Sequence, residues 1–214
     1  FGSHQDPRSE RVGNLLDSVL KTSATHLKTL ADSMFERVDD TLFDLAEKAE
    51  SNAVQTQYFD GMREVRKKRT LTERQFQNEV RRNLSDFAAG RQEQVPGHAG
   101  AALAGSNGEL SLVDDSELEE SLAIASMTSK AQGRLARQLY AVNQRLSVIC
   151  GGNKIEDANN PIGPAMLCEA FRQAMRELDV ETRVRLIIYK LFDRYVMAGL
   201  GELYAALNHE LAKA

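Results

Sequence analysis

Apolar residues recur every three or four positions along most of the chain, the spacing that places them on one face of an α-helix. The first such row comprises Leu16, Leu20, Leu27, Leu30, Met34, Val38, Leu42, Leu45 and Ala49. Residues 8–95 contain no proline, the residue that most strongly disfavours a helix interior. Because Ser33 and Glu36 have capping-box spacing, this segment is predicted to form either one long helix or two helices with a break near residues 31–33.

Thr70 and Glu73 form a stronger capping box and predict the start of a new helix. Its apolar face would consist of Phe76, Val80, Leu84 and Phe87. The following segment, residues 90–108, is rich in Gly, Ala, Gln, Pro and Ser and has few large apolar side chains. This composition predicts a flexible linker.

Beyond the linker, Ser116 and Glu119 form a further capping box, within the acidic stretch 114–120. The predicted helix continues along an apolar row spaced by fours and threes: Leu135, Leu139, Val142, Leu146 and Ile149. Gly151 is expected to end this helix, residues 151–163 to form a loop, and Pro164 to open the next helix.

The last predicted helix begins after Asp179, which can cap it, and carries two adjacent apolar rows between residues 184 and 211. Two rows make a broad apolar face, so we expect this helix to lie at the centre of the fold. Gly199 and Gly201 are expected to admit a close neighbour or to bend it.

No stretch of the sequence shows the alternation of a β-strand. The predicted class is therefore all-α, an elongated bundle of five to seven helices with a central C-terminal helix. Residues 1–12 are expected to be a tag remnant and a flexible N-terminus. Residues 13–89 and 109–214 are predicted helical segments that pack together, joined by the linker 90–108.

The composition is that of a water-facing globular protein, with 27 Lys and Arg, 31 Asp and Glu, and a formal net charge of −4. The negative charge makes nucleic acid an unexpected partner for the molecule as a whole. Two cysteines are too few for a disulfide scaffold. With no long apolar run and a polar start that does not resemble a secretory signal, we expect a cytoplasmic protein without membrane insertion.

Candidate catalytic chemistry is sparse. His26, His98 and His209 are far apart, and the two cysteines are not arranged as paired metal ligands. Cys168 lies on an apolar helix face, which favours a buried core residue over a reactive thiol. The sequence GGNK at 151–154 follows a helix rather than a strand, so we interpret it as a turn and not a phosphate loop. We therefore expect neither an enzyme nor a metal or cofactor.

A run of positive charge is the most distinctive local feature, with Arg63, Arg66, Lys67, Lys68 and Arg69 close together. Three interpretations stay open. The first is a solvated helix end. The second is a binding site for an acidic protein surface, including the chain's own residues 114–120, and the third is a binding site for a nucleotide or nucleic acid. No aromatic residue interleaves with it, which disfavours single-stranded nucleic acid.

Several strings resemble a bacterial family, domain of unknown function 1631. They are MFERVDDTLFDLAEKA at 34–49, YFDGMRE at 58–64, LSLVDDSELEE at 110–120, NPIGP at 160–164, LCEAF at 167–171 and VRLIIYKLFD at 184–193. Members sometimes carry the name thymidine phosphorylase, but the all-helical pattern here does not match an α/β phosphorylase domain. Members are usually longer, so the resemblance implies an N-terminal fragment.

Long members of the family are similar at their far C-terminal end to receptors for cyclic diguanylate. The resemblance therefore implies a regulatory context for the full-length protein, and no ligand residues for this fragment. We expect a non-enzymatic helical module that binds a protein partner or dimerises. The alternative is a helical domain that binds a nucleotide or nucleic acid through residues 63–69.

Overall fold

The computed structural model describes residues 7–91 and 115–213. The elements in these ranges are α1 (Pro7–Glu47), α2 (Asn52–Ala88), α3 (Asp115–Arg134), α4 (Ala136–Ile149), α5 (Pro164–Met175), α6 (Thr182–Tyr195), a 3-10 turn (Met197–Gly199) and α7 (Leu200–Leu211). The described ranges contain helices and no strand, which confirms the all-α prediction. Apart from Gly90 and Arg91, the predicted linker 90–108 lies outside them. Of the predicted tag remnant and flexible N-terminus at 1–12, residues 1–6 also lie outside, whereas residues 7–12 belong to α1.

The first predicted segment is one continuous helix. α1 has 41 residues and is therefore about 60 Å long at 1.5 Å per residue. Ser33 does not cap a second helix, because its hydroxyl donates to the carbonyl of Thr29 at 3.1 Å, one turn earlier in the same helix. Of the two alternatives that the sequence left open, the single helix is correct.

The predicted helix start at Thr70 and Glu73 is wrong. α2 continues through both residues from its N-cap at Ser51, whose hydroxyl accepts a hydrogen bond from the backbone N–H of Val54. The Thr72 hydroxyl donates to the carbonyl of Lys68 at 3.1 Å, as threonines inside helices do. The core-facing row continues unbroken across the supposed boundary, so packing overrides the local capping signal.

The helix predicted from Ser116 to Ile149 is divided in two at Leu135, and it begins at Asp115 rather than at Ser116. The Leu135 backbone still donates to the carbonyl of Ala131 at 2.9 Å, so the division is a local bend. Gly133, a weak helix former, lies just before it.

The predicted last helix is also divided. α6 ends at Tyr195 and α7 begins at Leu200, with the 3-10 turn between them. A Cβ atom added at Gly199 would lie 2.5 Å from a methyl carbon of Leu30, so the glycine lets α1 pack against the break. Asp179 is not the cap, because α6 has Glu181 at its N-cap position.

The predicted C-terminal rows nevertheless form the centre of the fold. Nearly all their members are buried, among them Val184, Ile188, Phe192, Val196, Leu200, Leu203, Tyr204, Leu207 and Leu211. α1 packs against α2, α6 and α7, while α5 packs against α2 and α3, and α4 against α7. The helices on either side of residues 92–114 therefore share one core.

The ends of α4 and α5 agree with the sequence. Gly151 has a φ of +72°, and the N–H of Gly152 donates to the carbonyl of Ser147 at 2.8 Å, which completes a Schellman cap. Pro164 is the first residue of α5, as expected. Residues 151–163 form the loop between the two helices.

A buried chain of hydrogen bonds fixes this loop. Asn160 is fully buried; its side-chain nitrogen donates to the side-chain oxygen of Asn143 at 2.7 Å, and its own oxygen accepts from the Ile162 N–H at 3.0 Å. Asn143 donates in turn to Asp157 at 3.0 Å. The Tyr204 hydroxyl donates to the Ile162 carbonyl at 2.8 Å, which ties the loop to α7. Burial raises the pKa of Tyr204, so this hydroxyl keeps its proton.

Two helical glycines give a matched test of packing. A Cβ at Gly61 would lie 2.7 Å and 2.9 Å from the two methyl carbons of Val184, a buried and rotationally stiff side chain, whereas a Cβ at Gly133 would meet nothing within 4 Å. We expect Gly133→Ala to stabilise the protein by up to about 1 kcal/mol through helix propensity. For Gly61→Ala, overpacking of about 1–3 kcal/mol should cancel or exceed that gain. Urea unfolding of the two variants measures the difference, and equal stabilisation would contradict the described contact.

Candidate functional site

The basic run lies in the middle of α2 and not at a helix end. Along this helix, Arg66 and Lys67 are exposed, and Lys68 and Arg69 are half-buried. The helix therefore spreads the five charges around its outer side and does not gather them into one pocket.

Carboxylates within the chain engage most of the run. They form the pairs Arg63–Asp60 at 2.6 Å, Arg66–Asp39 at 2.5 Å, Lys68–Glu64 at 2.6 Å and Arg69–Glu73 at 2.7 Å. Arg69 also lies over the ring of Phe35, with its guanidinium carbon 5.8 Å from the ring centre. In the acidic stretch suggested as an internal partner, Glu120 contacts other residues: it accepts a hydrogen bond from Tyr189 and lies 3.9 Å from Arg172.

Lys68 is the member of the run most integrated into the fold. Its ammonium group pairs with Glu64 and also donates to the backbone carbonyl of Glu177 at 2.8 Å, beyond the end of α5. Glu64 in turn accepts from the N–H of Asp179 at 3.1 Å. The hydrogen bond between the two side chains raises the pKa of Lys68 and, together with the Asp179 N–H, lowers the pKa of Glu64.

These contacts predict that neighbouring lysines differ in their effect on stability. Lys68→Glu would set two carboxylates against each other and remove the contact with Glu177, so we expect a clear fall in the melting temperature. Lys67 is exposed, and Lys67→Glu should shift the melting temperature by no more than about 2 °C. Thermal unfolding followed by circular dichroism measures both. A Lys67 variant as unstable as the Lys68 variant would show that the run acts through its total charge and not through these contacts.

Besides Phe43 on α1, large apolar side chains are exposed on α3 and α4. On α3, Leu118 and Leu122 are 47% and 61% exposed, and on α4, Tyr140 and Val148 are 67% and 78% exposed. The opposite faces of both helices are buried in the core, at residues such as Ile124. Exposed apolar groups of this size are typical of surfaces that contact another molecule.

A groove with a volume of about 500 Å³ runs between α3 and α6. Its lining combines apolar and charged residues: Glu119, Leu122, Ala123, Ser126, Met127, Lys130, Leu186, Tyr189, Lys190 and Asp193. Lys130 forms an ion pair with Asp193, and Tyr189 donates to Glu120, so both helices are fixed where the groove runs.

A second groove, of about 580 Å³, lies between the start of α1 and the outer side of α4. Its apolar lining includes Leu15, Val148 and Ile149, and its charged residues are Arg11 and Arg145. Arg145 donates to the side chain of Asn208 at 2.5 Å, which fixes α4 on α7. The hydrophobic pattern of the sequence predicted neither groove.

The groups that could perform covalent chemistry are engaged in packing. Cys168 is fully buried, its thiol donates to the Met197 sulfur at 3.8 Å, and burial raises its pKa to about 12. Burial is also the first cause of a raised pKa at Tyr189, followed by its hydrogen bond to Glu120. In residues 7–91 and 115–213, no three His, Cys, Asp or Glu side chains are grouped so that they could hold a metal ion.

The two thiols should differ sharply in reactivity. Cys150 is only half-buried, although burial raises its pKa too, whereas Cys168 is enclosed. We expect Ellman's reagent to titrate one thiol in the native protein and two after unfolding in urea, because only an accessible thiolate reacts. The Cys150→Ser variant identifies the reactive group. Rapid reaction of both thiols in the native protein would contradict the described core.

His26 is half-buried on α1 and His209 is exposed near the end of α7, while His98 lies outside the described residues. None of the helices in the described ranges combines the length and the hydropathy needed to cross a lipid bilayer.

Comparison with known proteins gives one match. No curated protein and no solved structure is significantly similar to this chain. The family model described as "Protein of unknown function (DUF1631) N-terminal domain" matches residues 11–214 and so covers nearly the whole chain. The family that the sequence strings resembled is thereby confirmed, and the chain belongs to the DUF1631 family, of which it carries the N-terminal domain.

Proposed function

We propose that this domain is a non-enzymatic protein-interaction module that binds another protein, or a second copy of itself, through apolar side chains exposed on α3 and α4. The observation that carries the proposal is the exposure of Leu122, Tyr140 and Val148, each more than 60% accessible, on helices whose other faces are buried. Apolar groups of this size beside open grooves gain free energy when a partner removes them from water.

The placement of the polar groups supports an interaction role over catalysis. The Cys168 thiol and the Tyr204 hydroxyl are held inside the core by burial and hydrogen bonds, where they contribute to packing. The basic run is occupied largely by carboxylates of the same chain. By contrast, the grooves on α3 and α4 are open to solvent and lined by a mixture of apolar and charged side chains.

The proposal also includes the kind of full-length protein in which this module acts. The resemblance to long family members implies that the module serves a cytoplasmic bacterial regulatory protein, linked to cyclic diguanylate through a domain outside this fragment. The module would then hold a partner while another part of the protein senses the signal.

Site-specific photo-crosslinking in cells tests this role. A benzophenone amino acid replaces Leu122 or Tyr140, and in the control it replaces Ser85, an exposed position on α2. We expect discrete crosslinked protein bands from the two apolar positions and none from Ser85, with circular dichroism confirming that all three variants are helical. Identical band patterns at all three positions, or no band at either apolar position, would overturn the proposal.

A further inference from the structure

We propose that α3 is a dimerisation helix, on which α3 of a second copy of this chain docks in antiparallel orientation beside the α3–α6 groove. This inference rests on the proposed function, since it assigns an occupant to one of the two exposed surfaces. It follows from the order of side-chain sizes and charges along α3.

The side chains on the outer face of α3 change in size from one end of the helix to the other. At 100° per residue, Leu118, Leu122, Ser129 and Gly133 lie within about 60° of one another around the helix axis. The two leucines occupy the first half of the helix, and the two small residues occupy the second half. An antiparallel copy with its two-fold axis between residues 125 and 126 places Leu118 opposite Gly133 and Leu122 opposite Ser129. Each large side chain then faces a small one.

The charges along the groove side of α3 also differ between the two ends of the helix. Glu119 and Lys130 both line the groove toward α6, and they are eleven residues apart, about 16 Å along the helix. A two-fold axis perpendicular to both helices places the groove side of one copy next to the groove side of the other. Glu119 of each copy then lies near Lys130 of the other. The side chain of Lys130 is 61% exposed, so its ammonium group can contact Glu119 of the second copy while it pairs with Asp193 of its own chain. A parallel copy would instead place the groove side of one helix beside the opposite side of the other, so Glu119 and Lys130 would not meet.

The ends of the helix reinforce this orientation. The first turn of α3 carries Asp115 and Glu117, and its last turn carries Arg134. In antiparallel docking the acidic end of one copy lies beside the basic end of the other, and the two helix dipoles also oppose. Size, side-chain charge and helix direction therefore all favour the same arrangement.

The groove between α1 and α4 lacks this self-complementarity. Its charged residues, Arg11 and Arg145, are both positive, so a second copy of the same surface would bring like charges together. That difference makes the second groove the natural control for the first.

Sedimentation over a range of protein concentrations measures the dimer directly. We expect the wild-type chain to show a reversible monomer–dimer equilibrium. Leu122→Arg should shift it to monomer, while Val148→Arg, the matched change in the other groove, should leave it unaltered. Both sites are exposed, and melting temperatures close to wild type will show that the fold is retained. A chain that is monomeric at every concentration, or a dimer that survives Leu122→Arg, overturns the inference.

Charge reversal tests the orientation. Glu119→Lys brings like charges together at two symmetric contacts, so it should weaken the dimer by about tenfold. Glu119→Gln removes the attraction without adding repulsion, so it should weaken the dimer less. Both variants leave the ion pair between Lys130 and Asp193 in place. A Glu119→Lys variant that dimerises as tightly as the wild type would overturn the antiparallel arrangement.

Disulfide trapping tests the position of the two-fold axis. In a Cys150→Ser background, Ser126→Cys should form a covalent dimer under mild oxidation, and Ser85→Cys on α2 should not. Equal trapping at both positions overturns the inference. If photo-crosslinking at Leu122 captures only other proteins and the chain sediments as a monomer, the dimer is excluded while the interaction function stands. If neither apolar position captures anything, both proposals fail.

Discussion

Phe192→Ala should destabilise the protein by about 3–5 kcal/mol, the range for removing a buried aromatic side chain. Phe192 is fully buried in the last turn of α6. Its ring stacks on Phe171 with centroids 4.0 Å apart and planes 8° apart, and Phe76 meets both rings edge-on at 5.8 Å. The substitution opens a cavity where α2, α5 and α6 meet, so its cost is a large part of the total stability of about 5–15 kcal/mol that is typical of a domain.

Urea unfolding followed by circular dichroism measures this loss. The matched control is Phe43→Ala, because Phe43 is 45% exposed on α1 and its aromatic contact is with Phe59 at 6.1 Å. We expect the control to cost about 1 kcal/mol, in line with an exposed aromatic pair. Similar losses at the two positions would mean that Phe192 does not occupy the core described here.

Asn160→Ala should cost about 2–4 kcal/mol, because two buried polar partners lose their hydrogen bonds. The side-chain oxygen of Asn143 would lose its donor, and the backbone N–H of Ile162 would lose its acceptor. Since the Ile162 carbonyl accepts from Tyr204, the disturbance should reach α7.

Urea unfolding and amide exchange at Ile162 measure the two consequences. Asn153→Ala is the control, since Asn153 is exposed in the same loop and uses its backbone carbonyl, not its side chain, to accept from Ser147. We expect wild-type stability for the control. If Asn160→Ala retained both the stability and the slow exchange of Ile162, the hydrogen-bond chain would not be what holds the loop.

Hydrophobic spacing predicted the helices and their buried faces well, because a whole row of apolar side chains, and not any single residue, determines which face of a helix is buried. Capping-box signals predicted helix starts poorly, whereas Gly151 and Pro164 marked a helix end and a helix start correctly. Thr70 and Glu73 have the correct spacing for a cap, but the apolar row of α2 continues past them and packing outweighs the local preference. Gly199 was expected to admit a close neighbour or to bend the last helix, and the break between α6 and α7 agrees with that expectation. The identity of the neighbour could not be predicted, because Leu30 of α1 lies about 170 positions away in the sequence.

The candidate interaction surface was harder to predict than the core. Leu118 and Leu122 have ordinary helical spacing, so the sequence does not tell which helix faces will find a partner inside the chain. In the fold, α5 and α6 pack against the other side of α3, and this leaves the two leucines exposed. The basic run has a high density of charge, but three of its carboxylate partners lie three or four residues away on α2 itself. Asp39 is the partner that comes within reach only when α1 and α2 pack.

The continuous helix α1 has a consequence for synthesis on the ribosome. One side of α1 packs against α2, which is synthesised directly after it. Another side packs against α6 and α7, which are synthesised last. On α7, Glu210 accepts hydrogen bonds from Ser18 and Thr22 of α1. More than 120 residues separate the end of α2 from Glu210. At roughly 5–20 residues per second, the apolar side of the nascent α1 stays uncovered for about 6–25 s. During that interval the emerging hairpin is a natural client for chaperones that shield apolar helices.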